Sequence, residues 1–120
     1  MLVLIVDSST EIIERLEEII SETKKISAIH RAVSYEDAKI LYKKNKYDVV
    51  FLDINLPRNK SLKLLKEIKK AGSKTVVIIM FTHIEDYILQ QYRSLCADFF
   101  FDKYYDFEKI GGLLDTLLLK

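Results

Sequence analysis

The sequence predicts an α/β fold in which five parallel strands form a doubly wound sheet with helices on both faces. Short apolar runs alternate five times with segments whose apolar residues recur at helical spacing. The run at residues 49–52 is apolar at every position and ends in Asp53, which is typical of a strand buried on both faces in the middle of a parallel sheet. Strands and helices that alternate in this way are joined by right-handed crossovers, so helices cover both faces.

The first unit is a fully apolar strand at residues 2–6, which ends in Asp7. The helix after it has isoleucines and a leucine at helical spacing, with glutamates between them. Ser8 and Glu11 have the spacing of a capping box, so we predict Ser8 as the N-cap.

The second and third units follow the same pattern. Residues 26–33 are a short strand, and residues 34–44 are a helix with Ser34 as its N-cap. The strand that ends at Asp53 comes next, and Pro57 opens the loop behind it. We expect Ser61 to cap the third helix and Gly72 to end it.

The last two units complete the alternation. We predict a strand, a helix, a strand and a helix at residues 75–81, 84–95, 99–101 and 107–119. Thr82 follows the fourth strand, and Lys103 follows the fifth strand closely. Asp106 is expected to begin the last helix, and Tyr92 belongs to the apolar stripe of the fourth helix.

Composition limits the class of protein. The chain has 120 residues and 49% hydrophobic residues, which predicts one globular domain over residues 1–120. Its formal net charge of +1 does not favour direct binding to nucleic acid. No apolar run has the length of a membrane span and no signal-peptide layout is present. With Cys96 as the only cysteine, no internal disulfide can form, so we expect a cytoplasmic protein.

Chemically useful side chains follow four of the predicted strands. They are Asp7 with Ser8, then Asp53, Thr82 and Lys103. Because parallel strands end at the same edge of a sheet, we expect these side chains to lie close together. Carboxylates, hydroxyls and an ammonium suit the transfer of a phosphoryl group to a carboxylate, with Mg²⁺ bound by carboxylate and carbonyl oxygens.

The chain resembles the receiver domains of bacterial two-component response regulators, the CheY-like family. The resemblance extends over almost the whole chain and is carried by four motifs, at residues 4–8, 49–57, 77–82 and 97–103. It implies a flavodoxin-like sheet with the strand order 2-1-3-4-5.

The resemblance also implies roles for particular residues. Asp53 would be the phosphoacceptor, and Mg²⁺ would be held by Asp7, Asp53 and the backbone carbonyl of Asn55. Ser8 stands where the family usually has a second acidic residue, which is normally the direct metal ligand. Since Ser8 brings no charge, we expect Mg²⁺ to bind weakly. An alternative reason for Ser8 is its predicted capping role.

Three further residues would respond to the phosphoryl group. Thr82 would be the switch hydroxyl, Lys103 would pair with the phosphoryl oxygens, and Phe100 would be the aromatic residue whose rotamer follows Thr82. His83 replaces a small residue and would crowd the pocket or tune its response to pH. Cys96 and Ser61 stand where the family often has glycine, and we interpret Cys96 as a packing residue.

Partners are implied by the same resemblance. A histidine kinase or a phosphotransfer protein would supply the phosphoryl group, and a downstream protein would receive the signal. The face of the fourth helix, fifth strand and fifth helix would bind that partner or form a homodimer. Four tyrosines near this face suit such contacts, with partial burial as the alternative: Tyr87, Tyr92, Tyr104 and Tyr105.

A basic segment covers the third helix and its flanks. Its members are Arg58, Lys60, Lys63, Lys66, Lys69, Lys70 and Lys74. One interpretation is a patch that binds nucleic acid or an acidic partner. We favour a solvated outer face, because these positions lie outside the apolar stripe of the third helix.

Four functions are compatible with a fold of this class. The first is a stand-alone response regulator that is phosphorylated on Asp53 and is not an enzyme beyond self-catalysed phosphorylation and dephosphorylation. The second is a pseudo-receiver that keeps the fold but, through Ser8, is not regulated by phosphorylation. A flavodoxin-type electron carrier would need glycines after the first strand, and a haloacid dehalogenase-type phosphatase would need an acid where Asn55 stands. We favour the first function.

Overall fold

The computed structural model describes residues 1–23, 25–70 and 73–118. The described residues form five strands and five α-helices, which alternate along the chain as the sequence predicts. The strands are β1 (Leu2–Val6), β2 (Ala28–Ala32), β3 (Val49–Asp53), β4 (Val76–Phe81) and β5 (Phe99–Asp102). The helices are α1 (Thr10–Ser21), α2 (Tyr35–Lys44), α3 (Lys60–Ile68), α4 (Asp86–Ser94) and α5 (Ile110–Leu118). Within the described ranges, no helix combines the length and apolarity needed to span a bilayer.

All strand pairs are parallel, and the order across the sheet is β2-β1-β3-β4-β5. This is the predicted doubly wound order. Residues of β3 are buried at every position, because this strand is central and is covered on both faces.

Two apolar clusters fill the spaces between the sheet and its helices. One cluster joins the sheet to α2, α3 and α4, through residues such as Ala38, Leu64 and Tyr92. The other joins the opposite face to α1 and α5, through residues such as Leu16 and Leu114. Successive side chains of each central strand point alternately into one cluster and the other. Both faces of these strands are therefore apolar, and the sequence of each strand is a continuous apolar run.

Two aspartates tie the amino ends of strands to their neighbours. Oδ2 of Asp48 accepts a hydrogen bond from the amide of Leu2 at 2.7 Å, and Oδ2 of Asp98 accepts one from the amide of Val77 at 2.8 Å. The ammonium of Lys69 also pairs with Asp98, at 2.5 Å. These contacts satisfy strand amides at the amino edge of the sheet, on the opposite side from the predicted site.

Two predicted helix caps are wrong. The N-cap of α1 is Ser9, whose hydroxyl accepts a hydrogen bond from the Ile12 amide at 3.4 Å, and Ser8 is exposed. The N-cap of α3 is Asn59, and Ser61 lies in the first turn of that helix. By contrast, Ser34 caps α2 as predicted.

Three other helix details differ from the prediction or lie outside the structure. α3 ends at Ile68, and Gly72 lies outside the described residues. α4 begins at Asp86 rather than at residue 84, because Glu85 has an extended backbone and acts as its N-cap. A short 3-10 turn at Phe107–Lys109 precedes α5, with Asp106 as its N-cap.

Cys96 is exposed, so its interpretation as a packing residue is wrong. It follows α4 with a φ of 70°, in the left-handed region. The amide of Cys96 donates to the carbonyl of Arg93, and the amide of Ala97 donates to that of Tyr92. These two bonds form a Schellman motif, in which the left-handed position favours glycine.

Candidate functional site at the carboxyl edge of the sheet

Three charged side chains are buried together at the carboxyl edge of the sheet. Asp7 is 1% exposed, Asp53 is 2% exposed and Lys103 is 9% exposed. Nζ of Lys103 lies 2.6 Å from Oδ2 of Asp7 and 3.2 Å from Oδ1 of Asp53. The structure therefore joins three of the residues that the sequence predicts for the site.

The sheet itself sets these positions. The amide of Asp7 donates to the carbonyl of Ala32 on the neighbouring β2, and the amide of Lys103 donates to the carbonyl of Phe81 on β4. Asp53 is the last residue of β3 and is in register with Met80. Each side chain thus follows a strand whose backbone is fixed by its neighbours.

Backbone amides complete the surroundings of both carboxylates. Oδ1 of Asp7 accepts a hydrogen bond from the Ser9 amide at 2.9 Å. Oδ1 of Asp53 accepts one from the Asn55 amide at 3.2 Å. Within the described residues, Oδ2 of Asp7 is buried and has no hydrogen bond of suitable angle, although the Lys103 ammonium lies beside it as an ion-pair partner.

The cluster holds two carboxylates beside the ammonium of Lys103. Burial raises the pKa of the Asp53 carboxyl, and the charge of Asp7 raises it further. The Lys103 ammonium and the amide of Asn55 act in the opposite direction. The site is therefore short of positive charge and suits a cation or a cationic partner.

The other predicted site residues lie at the same edge but on its surface. Ser8, Asn55 and Thr82 are exposed, and so is His83. Among the described residues, no hydrogen bond or ion pair joins the Thr82 side chain to Asp53. Thr82 directly follows β4, so the end of that strand is sufficient to position it at this edge of the sheet.

Phe100 lies on β5 and is half-buried. It is in register with Ile79 and packs against the cluster that contains Tyr92. The guanidinium of Arg93 lies over its ring, 5.4 Å from the centroid. Its described partners thus lie on β4 and α4.

Sequence reasoning missed the role of Ser61. This residue is fully buried, and its hydroxyl donates to the backbone carbonyl of Asp53 at 2.5 Å. It also accepts a hydrogen bond from the amide of Leu56 at 3.3 Å. The available signal was the serine at a position where the family that the sequence resembles often has glycine.

The loop between Asp53 and α3 has an unusual backbone. Arg58 and Asn59 both adopt left-handed conformations, with φ of 62° and 57°. Asparagine tolerates this region, but arginine is disfavoured there by roughly 1 kcal/mol or more. The loop beside Asp53 is therefore held in its shape by surrounding contacts, including those of Ser61.

The donor set at this edge fits a hard divalent cation in part. Asp7 and Asp53 supply carboxylate oxygens, and the backbone carbonyl of Asn55 is the third predicted ligand. Within the described residues, no group of three or more histidine, cysteine, aspartate or glutamate side chains is placed to hold a metal. Two buried carboxylates share a single ammonium, which favours a further cation at this position, and the lack of a third carboxylate among the described residues predicts modest affinity.

A groove of about 800 Å³ lies at the opposite edge of the sheet and is not lined by Asp7, Asp53 or Lys103. Its described lining includes Tyr42, Tyr47 and five lysines, namely Lys43, Lys44, Lys46, Lys70 and Lys74. These five lysines are exposed, and Lys70 and Lys74 also belong to the basic segment of the third helix. Most of that segment is exposed, as predicted, but Lys69 is largely buried and pairs with Asp98.

Comparisons with known proteins agree with this geometry. The family model for the response regulator receiver domain matches residues 3–115. The sensory transduction protein LytT of Bacillus anthracis is 31% identical over 108 residues, which is 90% of this chain and 43% of that protein. The chain thus spans less than half the length of this curated relative.

Solved structures share the fold. The signal receiver domain of a DNA-binding response regulator from Colwellia psychrerythraea 34H superimposes with a TM-score of 0.90 at 23% identity, covering 100% of this chain and 99% of that one. A two-component response regulator from Clostridium difficile gives 0.89 at 24% identity, with 100% and 97% covered. CheY4 of Vibrio cholerae gives 0.79 at 21% identity, with 98% and 95% covered. The family match and the buried cluster of Asp7, Asp53 and Lys103 lead to one conclusion: this chain belongs to the response regulator receiver domain family of two-component systems.

Proposed function

We propose that Asp53 accepts a phosphoryl group from a phosphohistidine of a histidine kinase or a phosphotransfer protein, in a reaction that requires Mg²⁺. The observation that carries this proposal is the buried cluster in which one ammonium contacts both Asp7 and Asp53. Receiver domains are phosphoacceptors as a family, which supports the same assignment.

The transfer forms one bond and breaks another. An oxygen of Asp53 attacks phosphorus, and the bond from phosphorus to the histidine nitrogen breaks, with its electron pair remaining on nitrogen. Among the described residues, hydrogen bonds and ion pairs engage Oδ1 of Asp53, which leaves Oδ2 for the attack. The product is an aspartyl phosphate, whose hydrolysis by water would restore the carboxylate.

Lys103 and Thr82 would then hold the new group. Lys103 already contacts Oδ1 of Asp53, so its ammonium can bind a phosphoryl oxygen without leaving Asp7. The exposed hydroxyl of Thr82 would donate to another phosphoryl oxygen, and Phe100 would turn inward behind it.

Asp7, Asp53 and the carbonyl of Asn55 would hold Mg²⁺. When bound, the ion neutralises the negative charge of the phosphoryl group as it transfers. Ser8 adds a neutral oxygen at most, so we expect weak binding.

The output surface would be the face of α4, β5 and α5. Tyr87, Tyr104 and Tyr105 are 64%, 76% and 81% exposed, which is unusual for large aromatic residues and suits a protein interface. Tyr92, by contrast, is buried. A downstream protein or a second copy of the chain would bind this face.

Intact mass after incubation with Mg²⁺ and acetyl phosphate tests the proposal. We expect the wild type to gain the mass of one phosphoryl group, and Asp53→Asn to gain none. Asp115→Asn is the matched control, because it makes the same change at an exposed position of α5 and should retain the gain. Equal gains in wild type and Asp53→Asn would overturn the assignment.

A pseudo-receiver is the second candidate, and the exposed, uncharged Ser8 favours it. In that case the wild type would gain no mass at any Mg²⁺ concentration, while Ser8→Asp would gain a phosphoryl group. Such a result would indicate a module that signals by binding alone.

A further inference from the structure

The outer side of α1 carries a row of glutamates. Glu11, Glu14 and Glu18 recur at spacings of three and four residues, so they lie on one side of the helix. That side faces away from the sheet, because the buried residues of α1 lie on the opposite side: Ile13, Leu16 and Ile20. All three glutamates are exposed, and none of them forms an ion pair within the described ranges. These three residues are the glutamate row.

The basic side chains near this row are engaged elsewhere. The guanidinium of Arg15 lies over the ring of Phe107, 3.9 Å from its centroid, and Arg31 pairs with Glu17. Glu14 and Glu18 are like charges four residues apart on a helix, an arrangement that is unfavourable unless an opposite charge lies nearby. The glutamate row is therefore suited to a basic partner.

α3 carries a row of the opposite charge with the same spacing. Lys63 and Lys66 lie on α3, and Lys70 lies in the turn that follows it. These three residues, the lysine row, are exposed and form no ion pair with any other part of the chain that the structure describes. The acidic residue of α3, Glu67, is half-buried and accepts a hydrogen bond from the hydroxyl of Tyr35 at 2.6 Å. It therefore leaves the outer side of α3 positively charged.

The positive charge continues into the groove at the amino edge of the sheet. Lys70 lines this groove together with four more exposed lysines, namely Lys43, Lys44, Lys46 and Lys74. Asp48 is the single carboxylate among the described lining residues, and its Oδ2 accepts a hydrogen bond from the amide of Leu2. The whole chain nevertheless has a formal net charge of only +1. Its charges are thus separated between surfaces rather than present in excess.

The two rows lie on opposite faces of the sheet. α1 packs on the cluster that contains Leu16, and α3 packs on the cluster that contains Leu64. One chain cannot bring its own rows together, because the sheet lies between them. Two copies can do so, and a net charge near zero gives little overall repulsion between them.

We propose that the glutamate row of one copy binds the lysine row of a second copy, in a head-to-tail contact. The equal spacing of the rows allows α1 and α3, lying side by side, to pair glutamates with lysines. Because the contact joins two different surfaces, each copy keeps one row free and further copies can add to an open chain. Exposed ion pairs are individually weak and are screened by salt, so the association is reversible and depends on low ionic strength.

This contact lies outside the phosphorylation site. Neither row includes Asp7, Asp53 or Lys103, and the contact also differs from a homodimer through the face of α4, β5 and α5. It therefore does not depend on the proposed function, and the two can fail separately.

Sedimentation velocity of the full chain at increasing protein concentration tests the contact. The Debye length is about 30 Å in about 0.01 M salt and about 3 Å in about 1 M salt. We expect the weight-average sedimentation coefficient to rise with protein concentration at the lower salt concentration and to stay at the monomer value at the higher one. A rise that is equal at both salt concentrations would overturn the proposal.

A swapped variant tests the pairing of the rows at constant net charge. It combines four substitutions that exchange the signs of the two rows: Glu14→Lys, Glu18→Lys, Lys63→Glu and Lys66→Glu. Its net charge remains +1, as in the wild type. Because the rows are again of opposite sign, this variant should retain part of the association.

A mismatched variant is the control of equal net charge. It combines Lys63→Glu and Lys66→Glu with Glu85→Lys and Glu108→Lys, at exposed positions outside both rows. The glutamate row then faces a mainly acidic row, so this variant should remain monomeric at low salt. A sedimentation coefficient equal to that of the wild-type monomer at high salt would show that it is folded. Equal association of the swapped and mismatched variants would overturn the pairing.

A wild type that stays monomeric at low salt would also overturn the contact. If a short DNA duplex then increased its sedimentation coefficient, and the mismatched variant did not respond, the lysine row would be a surface for nucleic acid instead.

Discussion

Lys103 and Asp7 form an ion pair in which Nζ and Oδ2 lie 2.6 Å apart and both side chains are almost fully buried. The same ammonium reaches Asp53, so it supports two carboxylates at once. Removing one member of a buried pair leaves an uncompensated charge, which typically costs about 3–5 kcal/mol.

Lys103→Met should therefore lower the free energy of unfolding at pH 7 by about 3 kcal/mol. Adding Asp7→Asn to this variant should recover part of the loss, because one buried negative charge is removed. Lys109→Met is the control, since Lys109 pairs with Asp106 at the surface and should change stability by less than about 1 kcal/mol. Urea unfolding of the four proteins gives the comparison, and similar losses for the two lysines would contradict it.

Asp53→Asn should raise the melting temperature at pH 7. The folded-state pKa of Asp53 is raised above its ordinary value of 3.8, so the folded chain binds more protons than the unfolded chain between these two pKa values. Stability contributed by this group is complete below pH 3.8 and is lost as the pH rises through the folded pKa. Asparagine does not titrate, so the advantage of the variant should shrink steadily as the pH falls towards 4.

Melting curves at several pH values, with Asp115→Asn as the exposed control, provide the measurement. If the difference in melting temperature between Asp53→Asn and the wild type instead grew as the pH falls, the surroundings would stabilise the Asp53 carboxylate rather than destabilise it.

Ser8→Asp should bind Mg²⁺ at least about tenfold more tightly than the wild type, because a carboxylate replaces a neutral hydroxyl at the edge that holds Asp7 and Asp53. Calorimetric titration measures the affinity. Ser21→Asp adds the same charge at the end of α1 and should leave the affinity unchanged. The idea fails if the two variants bind Mg²⁺ equally well.

Cys96→Gly should stabilise the fold by about 1 kcal/mol, because glycine adopts the left-handed backbone of this position without a steric penalty. Cys96→Val should be destabilising, since a β-branched residue is least tolerated there. Chemical unfolding of the three proteins measures the order. A wild type more stable than the glycine variant would mean that the exposed thiol makes a stabilising contact.

The carboxyl-edge cluster could be predicted because it depends on the sheet alone. Each of Asp7, Asp53 and Lys103 closely follows an apolar run, and parallel topology brings such positions to one edge whatever the loops do. The same reasoning located Thr82, but not its orientation, which depends on a loop with no regular pattern.

The cap of α1 could not be predicted, because Ser8 and Ser9 are both suitable residues. Asp7 decides between them, because its carboxylate accepts a hydrogen bond from the amide of Ser9. As a result, the helix begins one residue later than predicted. This contact leaves Ser8 exposed, so the capping explanation for a serine at that position does not hold.

The role of Ser61 was beyond reach for another reason. Ser61 stands where the family often has glycine, but its hydrogen bonds to the carbonyl of Asp53 and from the amide of Leu56 depend on the path of the loop between them. Periodicity along one element carries no information about such contacts.

The aspartates at the two edges of the sheet differ in how fully they are compensated. Asp48 and Asp98 are exposed, so water solvates their charges, whereas Asp7 and Asp53 are buried and share the ammonium of Lys103. Incompletely neutralised negative charge is thus concentrated at the edge of the sheet where a ligand would bind. Any cation that neutralises it stabilises the folded chain by mass action. A bound ion should consequently raise the melting temperature of the whole domain. A thermal shift assay would therefore report which ions and phosphodonor mimics bind at the site.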